Sequence, residues 1–492
     1  MTTQPFKNVE HHPPAARHDL YDPDTPLFYW TPQDPFTQGM AMESIFVTGE
    51  TGAGKTSGAA ATILKALLRA EGRFGGLILC AKPDEAEHVI DLARRCGREE
   101  DVIRVAPDEP WRFNFLNWEV RRQGRGSGLT ENVVTMLNTV IELTEGKAGQ
   151  DTSNDFWNRS SQMLIRNCVE LLILAQGSVS LEDLWRFLIS APHSIEVIGE
   201  EDWRKTSFCA QIISQAEANL VNGDAEARHD FEVAAAFWLR SWPEMGDRTR
   251  SSIEMTFLSV ADMLLHGVAH TLFCTSTNVV PEVCWQGDSG KIIVLDLPVQ
   301  SFHRVGAICQ GIFKYCWQRA ILDRDIQKHP RPCFLYMDEY QVFVSSLDWE
   351  YFSVSRSARA CNVAMTQNLH NLIAKLGGSS AQSEVHALLG HLITKVAHAN
   401  NDVMTNNWMA DIIAQEWQVT TTYNTGLNGR QTNAGGSQTL AHKVLPGQMA
   451  QLAKGGKRNH YRTEAIVTQG GRAFKANGNQ TWIKCVFDQR AE

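Results

Sequence analysis

One eight-residue stretch limits the fold of this chain more than any other feature. Residues 49–56 read GETGAGKT and match the pattern G-x-x-x-x-G-K-S/T at every fixed position. An apolar run at residues 44–47 precedes the stretch, and the Ala- and Leu-rich residues 57–70 follow it with helical character. A strand that turns through glycines into a helix directs backbone N–H groups and the positive end of the helix dipole at an anion. The sequence therefore predicts a phosphate-binding loop between a buried strand and a helix.

This loop gives individual residues expected roles. Lys55 is expected to reach the β- and γ-phosphates of a nucleotide, and the Thr56 hydroxyl is expected to coordinate Mg²⁺. The expected cofactors are therefore ATP and Mg²⁺. A glycine-rich turn that binds nothing is the alternative explanation. The residues predicted to enclose the nucleotide are Gly49, Glu50, Thr51, Gly52, Ala53, Gly54, Lys55, Thr56 and Ser57.

An acidic pair supplies the second part of the predicted site. Residues 334–339 read FLYMDE, so four hydrophobic residues lead to Asp338 and Glu339. A phosphate-binding loop needs carboxylates at the end of a neighbouring buried strand to hold Mg²⁺. Asp338 is the predicted metal ligand, through water, and Glu339 is the predicted general base for the attacking water. Asp296 follows a similar strand without an adjacent Glu, so a turn-capping role is favoured there.

A third segment, residues 355–367, reads SRSARACNVAMTQ. Its apolar part ends at Gln367, whose amide is placed to contact the γ-phosphate or the attacking water. Arg356 and Arg359 precede the strand, where a subunit edge can offer a guanidinium to the nucleotide of a neighbour. Such an arginine can contribute ~10³ to 10⁵ in rate. Solvation of a helix end is the alternative explanation for either arginine.

The remaining pattern predicts an α/β fold, a RecA-like P-loop NTPase domain whose mostly parallel central sheet is interrupted by an all-α domain. Continuous apolar runs are typical of strands buried on both faces of a parallel sheet. Such runs occur at residues 76–81, 291–297, 333–337, 361–366 and 392–397. Residues 420–439 are polar and indicate a loop or a flexible ribbon. The predicted divisions are an irregular N-terminal arm (1–40), the first motor part (41–120), the all-α insertion (121–285) and the second motor part (286–492).

Composition limits the partners and the location. The sequence has 46 Lys and Arg against 55 Asp and Glu, a net charge of −9, so any DNA contact requires a local basic surface or a shielded channel. Candidates are Arg121, Arg122 and Arg125 and the segment 454–462, although solvated basic loops are favoured for both. No run approaches the ~18 to 20 apolar residues of a membrane span. Eleven cysteines without CxxC spacing favour a reducing, cytoplasmic compartment.

The motifs GETGAGKT, FLYMDEY and SRSARACNVAMTQN, at this spacing, resemble those of the conjugative coupling proteins of type IV secretion, the TraG/TraD type. These belong to the FtsK–HerA class of P-loop DNA translocases. The likeness runs from about residue 44 to residue 487. It implies a RecA-like motor, a homo-hexameric ring, and ATP hydrolysis that moves or recruits DNA for transfer. The residues it singles out are Lys55, Thr56, Asp338, Glu339, Gln367 and, as the arginine acting in trans, Arg356, with Arg359 in reserve.

Two departures from the family leave alternatives open. Coupling proteins of this type usually begin with membrane helices, and none is evident here, so we expect a cytoplasmic protein that reaches the inner membrane only through partners. Ala81 replaces an acidic residue that often precedes Lys82, so no catalytic role is assigned to this lysine. Secretion-system or relaxosome components are the implied partners. The alternatives are a HerA-like motor that partners a nuclease in DNA processing or phage defence, and an ATP-dependent cargo-recruitment adaptor.

Overall fold

The computed structural model of the protein describes residues 21–122, 129–145, 152–220, 225–425 and 432–490. In this part of the chain thirteen strands form one large sheet and two separate hairpins. The strands are β1 (Pro26–Thr31), β2 (Asp34–Thr37), β3 (Ile45–Thr48), β4 (Gly75–Leu79), β5 (Val102–Val105), β6 (Ile292–Leu295), β7 (Cys333–Met337), β8 (Ala360–Thr366), β9 (Thr394–His398), β10 (Gln415–Thr425), β11 (Thr432–His442), β12 (Arg462–Gln469) and β13 (Trp482–Asp488).

The large sheet has nine strands among the described residues, in the order β13-β12-β9-β3-β8-β7-β4-β6-β5. From β9 to β5 every pairing is parallel, and β12 pairs antiparallel with both β9 and β13. Strands β3, β4, β6, β7, β8 and β9 are buried along their whole length, as continuous apolar strands covered on both faces should be. The predicted α/β class with a mostly parallel sheet is confirmed. Because parallel strands end at one edge, the segments that follow β3, β4, β7 and β8 meet there.

Helices cover both faces of this sheet. The first group comprises α1 (Gln38–Met42), α2 (Ala61–Arg69), α3 (Glu85–Arg95) and α4 (Phe115–Arg121). The middle group comprises α5 (Thr130–Glu145), α6 (Thr152–Gln176), α7 (Leu181–Ile189), α8 (Ile195–Gly199), α9 (Glu201–Thr206), α10 (Phe208–Asn219), α11 (Ala225–Ala236), α12 (Asp247–Leu264) and α13 (Gly267–Phe273). The last group comprises α14 (Val299–Asp323), α15 (Asp348–Val354), α16 (Leu369–Leu376), α17 (Ala381–Gly390), α18 (Val403–Ile413) and α19 (Pro446–Ala450). Along the described ranges no single helix has the length and apolarity to cross a membrane, and the pair α6–α7 reaches them together only across a 111° bend.

The middle group of helices shares a buried apolar core with one face of the sheet. Leu79 of β4 belongs to the same buried apolar cluster as Leu164 of α6 and Trp238 after α11. The opposite face has its own cluster, in which Ile63 of α2 packs with Ile78 of β4. In the described part of residues 129–285 the regular elements are all helical. The position of the domain boundaries stays a prediction.

The structure corrects the expectation of an irregular arm over residues 1–40. Residues 1–20 lie outside the described part, but β1 and β2 pair as an antiparallel hairpin that leads into α1. The Phe28 ring lies 4.7 Å from the Trp30 ring and 5.0 Å from the Phe36 ring, centroid to centroid. Trp30 and Phe36 are buried in the same cluster as α2. Aromatic burial of this kind stabilises a segment that shows little periodicity along the sequence.

In the polar stretch at residues 420–439, the described residues 420–425 and 432–439 lie in the strands of a second hairpin, a ribbon and not a loop. Strands β10 and β11 pair in unbroken register from Gln415 opposite His442 to Thr425 opposite Thr432. Threonine-rich strands favour this arrangement because β-branched side chains pack well across neighbouring strands. The ribbon pairs with no other described strand, and Trp417 and Val419 are each 66% exposed.

Candidate nucleotide site at the carboxyl edge of the sheet

The loop that follows β3 forms a cradle of backbone groups. Gly54 has φ +88°, and a Cβ atom there would lie 2.9 Å from Oγ1 of Thr463 on β12, so both the backbone conformation and the space exclude a side chain. The Lys55 side chain is buried and folds back over the loop, donating to the carbonyl oxygens of Gly49 at 2.5 Å and Glu50 at 3.3 Å. Burial lowers the pKa of Lys55, a shift that the nearby carboxylates only partly oppose. A buried ammonium held at the loop is suited to an anionic ligand.

Thr56 and Asp338, 282 residues apart in sequence, meet at this edge. The Thr56 hydroxyl donates to Asp338 Oδ2 at 3.0 Å, and Asp338 is 1% exposed. Strand β8 lies between β3 and β7, so the two residues approach over its end. A hydroxyl and a carboxylate are the hard oxygen ligands that Mg²⁺ takes together with nucleotide phosphates. Within the described ranges no group of three or more His, Cys, Asp and Glu residues could hold a metal ion.

Glu339 adopts a strained backbone conformation beside this pair. Its φ of +56° is left-handed, which is uncommon for a residue other than glycine and recurs at functional sites. Its carboxylate accepts from Gln341 Nε2 at 2.7 Å, and Gln367 Nε2 lies 3.4 Å from both of its oxygens. Burial alone would raise the pKa of Glu339, but the Gln341 hydrogen bond and the charge of Lys82 outweigh it and lower the pKa below its ordinary value. Glu339 is therefore held as an oriented carboxylate.

Lys82 also lies at this site, although no catalytic role was predicted for it from the sequence. Its Nζ lies 3.1 Å from Asp338 Oδ2 and 3.1 Å from Glu339 Oε1. Burial alone would lower the pKa of Lys82, but the two carboxylates outweigh it and the pKa lies above its ordinary value. The lysine follows β4, which pairs with β7, the strand that ends at the acidic pair. The sequence signal for Lys82 was a polar residue directly after an apolar run, but the sequence does not show which strands are neighbours in the sheet.

Glu85 lies in the first turn of α3 and supports the backbone of this lysine. Its Oε2 accepts from the backbone N–H groups of Ala81 at 2.8 Å and Lys82 at 3.2 Å. Burial and, after it, the charge of Asp338 raise the pKa of Glu85 to about 8. This buried carboxyl group fixes the end of β4 next to the acidic pair.

The two candidate arginines lie at the other end of the sheet. Arg356 and Arg359 precede β8, whereas Gln367 and the phosphate-binding loop follow parallel strands at the opposite edge. Arg356 has a 70% exposed side chain, 3.2 Å from Glu43. Arg359 donates to the carbonyl oxygen of Pro330 at 2.9 Å and stacks on a tyrosine ring. The structure therefore does not bring either arginine to the site of its own chain, and it leaves Arg356 the more accessible of the two.

The last strands of the chain fasten the loop from its other side. The Thr463 hydroxyl donates to the carbonyl oxygen of Ala53 at 2.7 Å, and Gln489 Nε2 donates to Ser57 Oγ at 2.6 Å. Lys454 forms an ion pair with Glu50. The basic segment 454–462, a candidate for DNA contact in the sequence, thus begins beside the phosphate-binding loop.

Two other residues considered from the sequence, Arg122 and Asp296, form ion pairs away from the acidic pair and the loop residues. The Arg122 side chain is 4% exposed and forms ion pairs with Glu119 and Asp323, so it offers little surface to DNA. Arg125 lies outside the described residues. Asp296 accepts from Arg104 Nε at 2.8 Å, and its predicted turn-capping role stays a prediction.

A mostly parallel sheet with a phosphate-binding loop after one strand and an acidic pair two strands away is the fold of the RecA-like P-loop NTPases. Among solved structures, the bacterial conjugative coupling protein TrwBdeltaN70, in its unbound monoclinic form, is similar over 97% of this chain and 93% of its own, with a TM-score of 0.62 and 14% identity. TrwB in complex with the ATP analogue ADPNP is similar over the same shares of the two chains, with a TM-score of 0.59 and 15% identity. TrwB with ADP and Mg²⁺ is similar over 96% of this chain and 91% of its own, with a TM-score of 0.57 and 14% identity. No protein-family profile matches the sequence, and a search of curated proteins finds no match.

Proposed function

We propose that this protein is an ATPase that moves or recruits DNA as a hexameric ring, in the manner of a conjugative coupling protein. The observation that carries the proposal is the convergence of Lys55, Thr56, Asp338 and Glu339 at one edge of the sheet. The fold shared with TrwB, which has been solved with ADPNP and with ADP and Mg²⁺, supports ATP as the nucleotide. Mg²⁺ would be held by Thr56 and Asp338 and would screen the charge of the phosphates.

The chemistry follows from the groups around the acidic pair. Lys55 would bind the β- and γ-phosphates, and Gln367 would orient a water molecule over Glu339. The carboxylate of Glu339 takes a proton as the water oxygen bonds to the γ-phosphorus, and the bond to the β,γ-bridging oxygen breaks to give ADP and phosphate. A base held by Gln341 and Lys82 needs little reorganisation for this step.

The ring is supported by the position of Arg356. An exposed arginine at the edge opposite to its own nucleotide loop is available to the site of a neighbouring subunit. In closed ring assemblies each subunit offers one surface to the next and receives another. Arg356 is therefore the arginine that would stabilise the transition state in trans, and Arg359, held by Pro330, is not.

ATP turnover with and without DNA tests the proposal. The purified protein should bind ATP with Mg²⁺ and hydrolyse it faster with single- or double-stranded DNA. Lys55→Ala should abolish nucleotide binding, and Glu339→Gln should retain binding while stopping turnover. A protein that hydrolyses ATP equally with and without DNA over a range of salt concentrations would be the recruitment adaptor and not the motor.

A further inference from the structure

One cation of the site contacts both acids, and the reaction described above uses only its contact with Glu339. Lys82 Nζ is equidistant, at 3.1 Å, from Asp338 Oδ2 and Glu339 Oε1. The side chains of the two acids are 1% and 12% exposed, and that of the lysine is 34% exposed. Two neighbouring buried carboxylates repel each other unless a positive charge lies between them. Lys82 places a positive charge against both carboxylates.

The backbone that carries this ammonium is held in place by its neighbours. Glu85 accepts the N–H groups of Ala81 and Lys82, and Lys82 follows a strand that pairs residue by residue with β7. The backbone of Lys82 is thus tied both to α3 and to the strand that carries the acids. A lysine on such an anchored backbone can redirect its flexible side chain without any movement of the sheet.

The same carboxylate oxygen serves two donors. Asp338 Oδ2 accepts the Thr56 hydroxyl at 3.0 Å and faces Lys82 Nζ at 3.1 Å. A magnesium ion held by Thr56 and Asp338 needs this carboxylate and repels the ammonium beside it. Lys82 and the metal ion therefore compete for the Asp338 carboxylate, whereas the contact of Lys82 with Glu339 holds that side chain in place.

We propose that Lys82 is a positioning residue with two opposed effects: it competes with Mg²⁺ for the Asp338 carboxylate and it holds Glu339 for attack. This inference rests on the proposed ATPase function. On Mg²⁺ binding the lysine gives up Asp338 and retains Glu339, so that arrival of the metal ion and orientation of the base are linked through one side chain.

Lys82→Met in the full-length protein tests both effects. Binding of a fluorescent ADP, titrated with Mg²⁺, should become half-maximal at a Mg²⁺ concentration about tenfold lower than in the wild type, because the competing charge is gone. The kcat at saturating Mg²⁺ should fall by about tenfold or more while KM for ATP changes little, because an interaction that orients the base has been lost. Lys82→Arg should restore part of kcat.

Lys205→Met is a matched control, since this exposed lysine on α9 pairs with Glu201 in the adjacent turn of the helix. An unchanged or higher Mg²⁺ requirement in Lys82→Met would overturn the competition. A rise in KM in proportion to the loss of kcat/KM would make Lys82 a phosphate ligand instead. If Lys82→Met does not fold, Lys82→Gln removes the charge and keeps a donor, and the same titration applies. A wild-type protein without Mg²⁺-dependent ADP binding would contradict the proposed function itself.

Discussion

Two inactive variants can each supply what the other lacks if Arg356 acts on a neighbouring subunit. Lys55→Ala removes the lysine of the phosphate-binding loop and leaves the arginine, and Arg356→Ala does the reverse. Each variant alone should lose activity, for Arg356→Ala by at least ~10³-fold. Rings that contain both variants should recover activity, because an intact loop on one subunit can face an intact arginine on the next.

The expected recovery follows from the sheet. Strand β8 has seven residues, and at ~3.3 Å per residue its first and last Cα atoms are roughly 20 Å apart, so Arg356 cannot reach across to the site beyond Gln367 of its own chain. Each site then uses one loop and one arginine from different subunits. In a random equal mixture half of the loops and half of the arginines are intact, so about one quarter of the interfaces should be active, if each works independently.

The assay is steady-state phosphate release from co-produced, doubly tagged rings that are purified through both tags in sequence. The double variant Lys55→Ala/Arg356→Ala, co-produced with either single variant, is the control and should give no recovery. No activity in mixed rings whose composition has been verified would refute action in trans. If Arg359→Ala, and not Arg356→Ala, were the variant that complements, the assignment would move to Arg359.

Three further outcomes can be measured on single variants. Gly54→Ala should weaken ATP binding by more than tenfold in calorimetry. The φ of +88° at this position costs ~1–2 kcal/mol for a residue with a side chain, and the new Cβ would meet β12. Gly52→Ala, with open space around it, should have the smaller effect. Burial lowers the pKa of His398 to about 3, so the folded protein does not take up the proton that the unfolded chain binds below about pH 6.5. This histidine should therefore cost the wild type ~1.4 kcal/mol of stability per pH unit below about pH 6.5. Urea unfolding should show that His398→Phe lacks this contribution. Asp348→Asn should destabilise the fold by ~3–5 kcal/mol in urea unfolding, because Lys314, 2.7 Å away, becomes a buried unpaired charge; an unchanged midpoint would mean that this pair is dispensable.

The parts of the fold that apolar runs define could be predicted from the sequence. Strand β7 has the predicted bounds, and β3, β4, β6, β8 and β9 lie within two residues of the predicted runs. Strand β5 (VIRV) was missed because it is four residues long and Arg104 interrupts its apolar character. The first hairpin was missed because aromatic packing against α2 stabilises it and leaves no local pattern. For the second, the polar composition left both a loop and a ribbon open, and pairing between the two strands decides for the ribbon.

The residues of the site also differ in how well the sequence predicts them. The loop residues and the acidic pair carry their own sequence signals, and the structure places Thr56 beside Asp338. Lys82 and Thr463 act through neighbours that are about 250 and 410 residues away, so their positions depend on the order of strands in the sheet. That order is a property of the whole fold and is not written in any short segment.

The fastening of the loop by the last strands bears on when the protein becomes competent during synthesis. The contacts from Thr463 to Ala53 and from Gln489 to Ser57 join segments that are more than 400 residues apart in sequence. A ribosome that has made the first motif has therefore not yet made the residues that hold this loop from its other side. The nascent chain should not bind ATP until residues 462–489 have emerged, and fragments that stop before β12 should not bind ATP however well their earlier part folds.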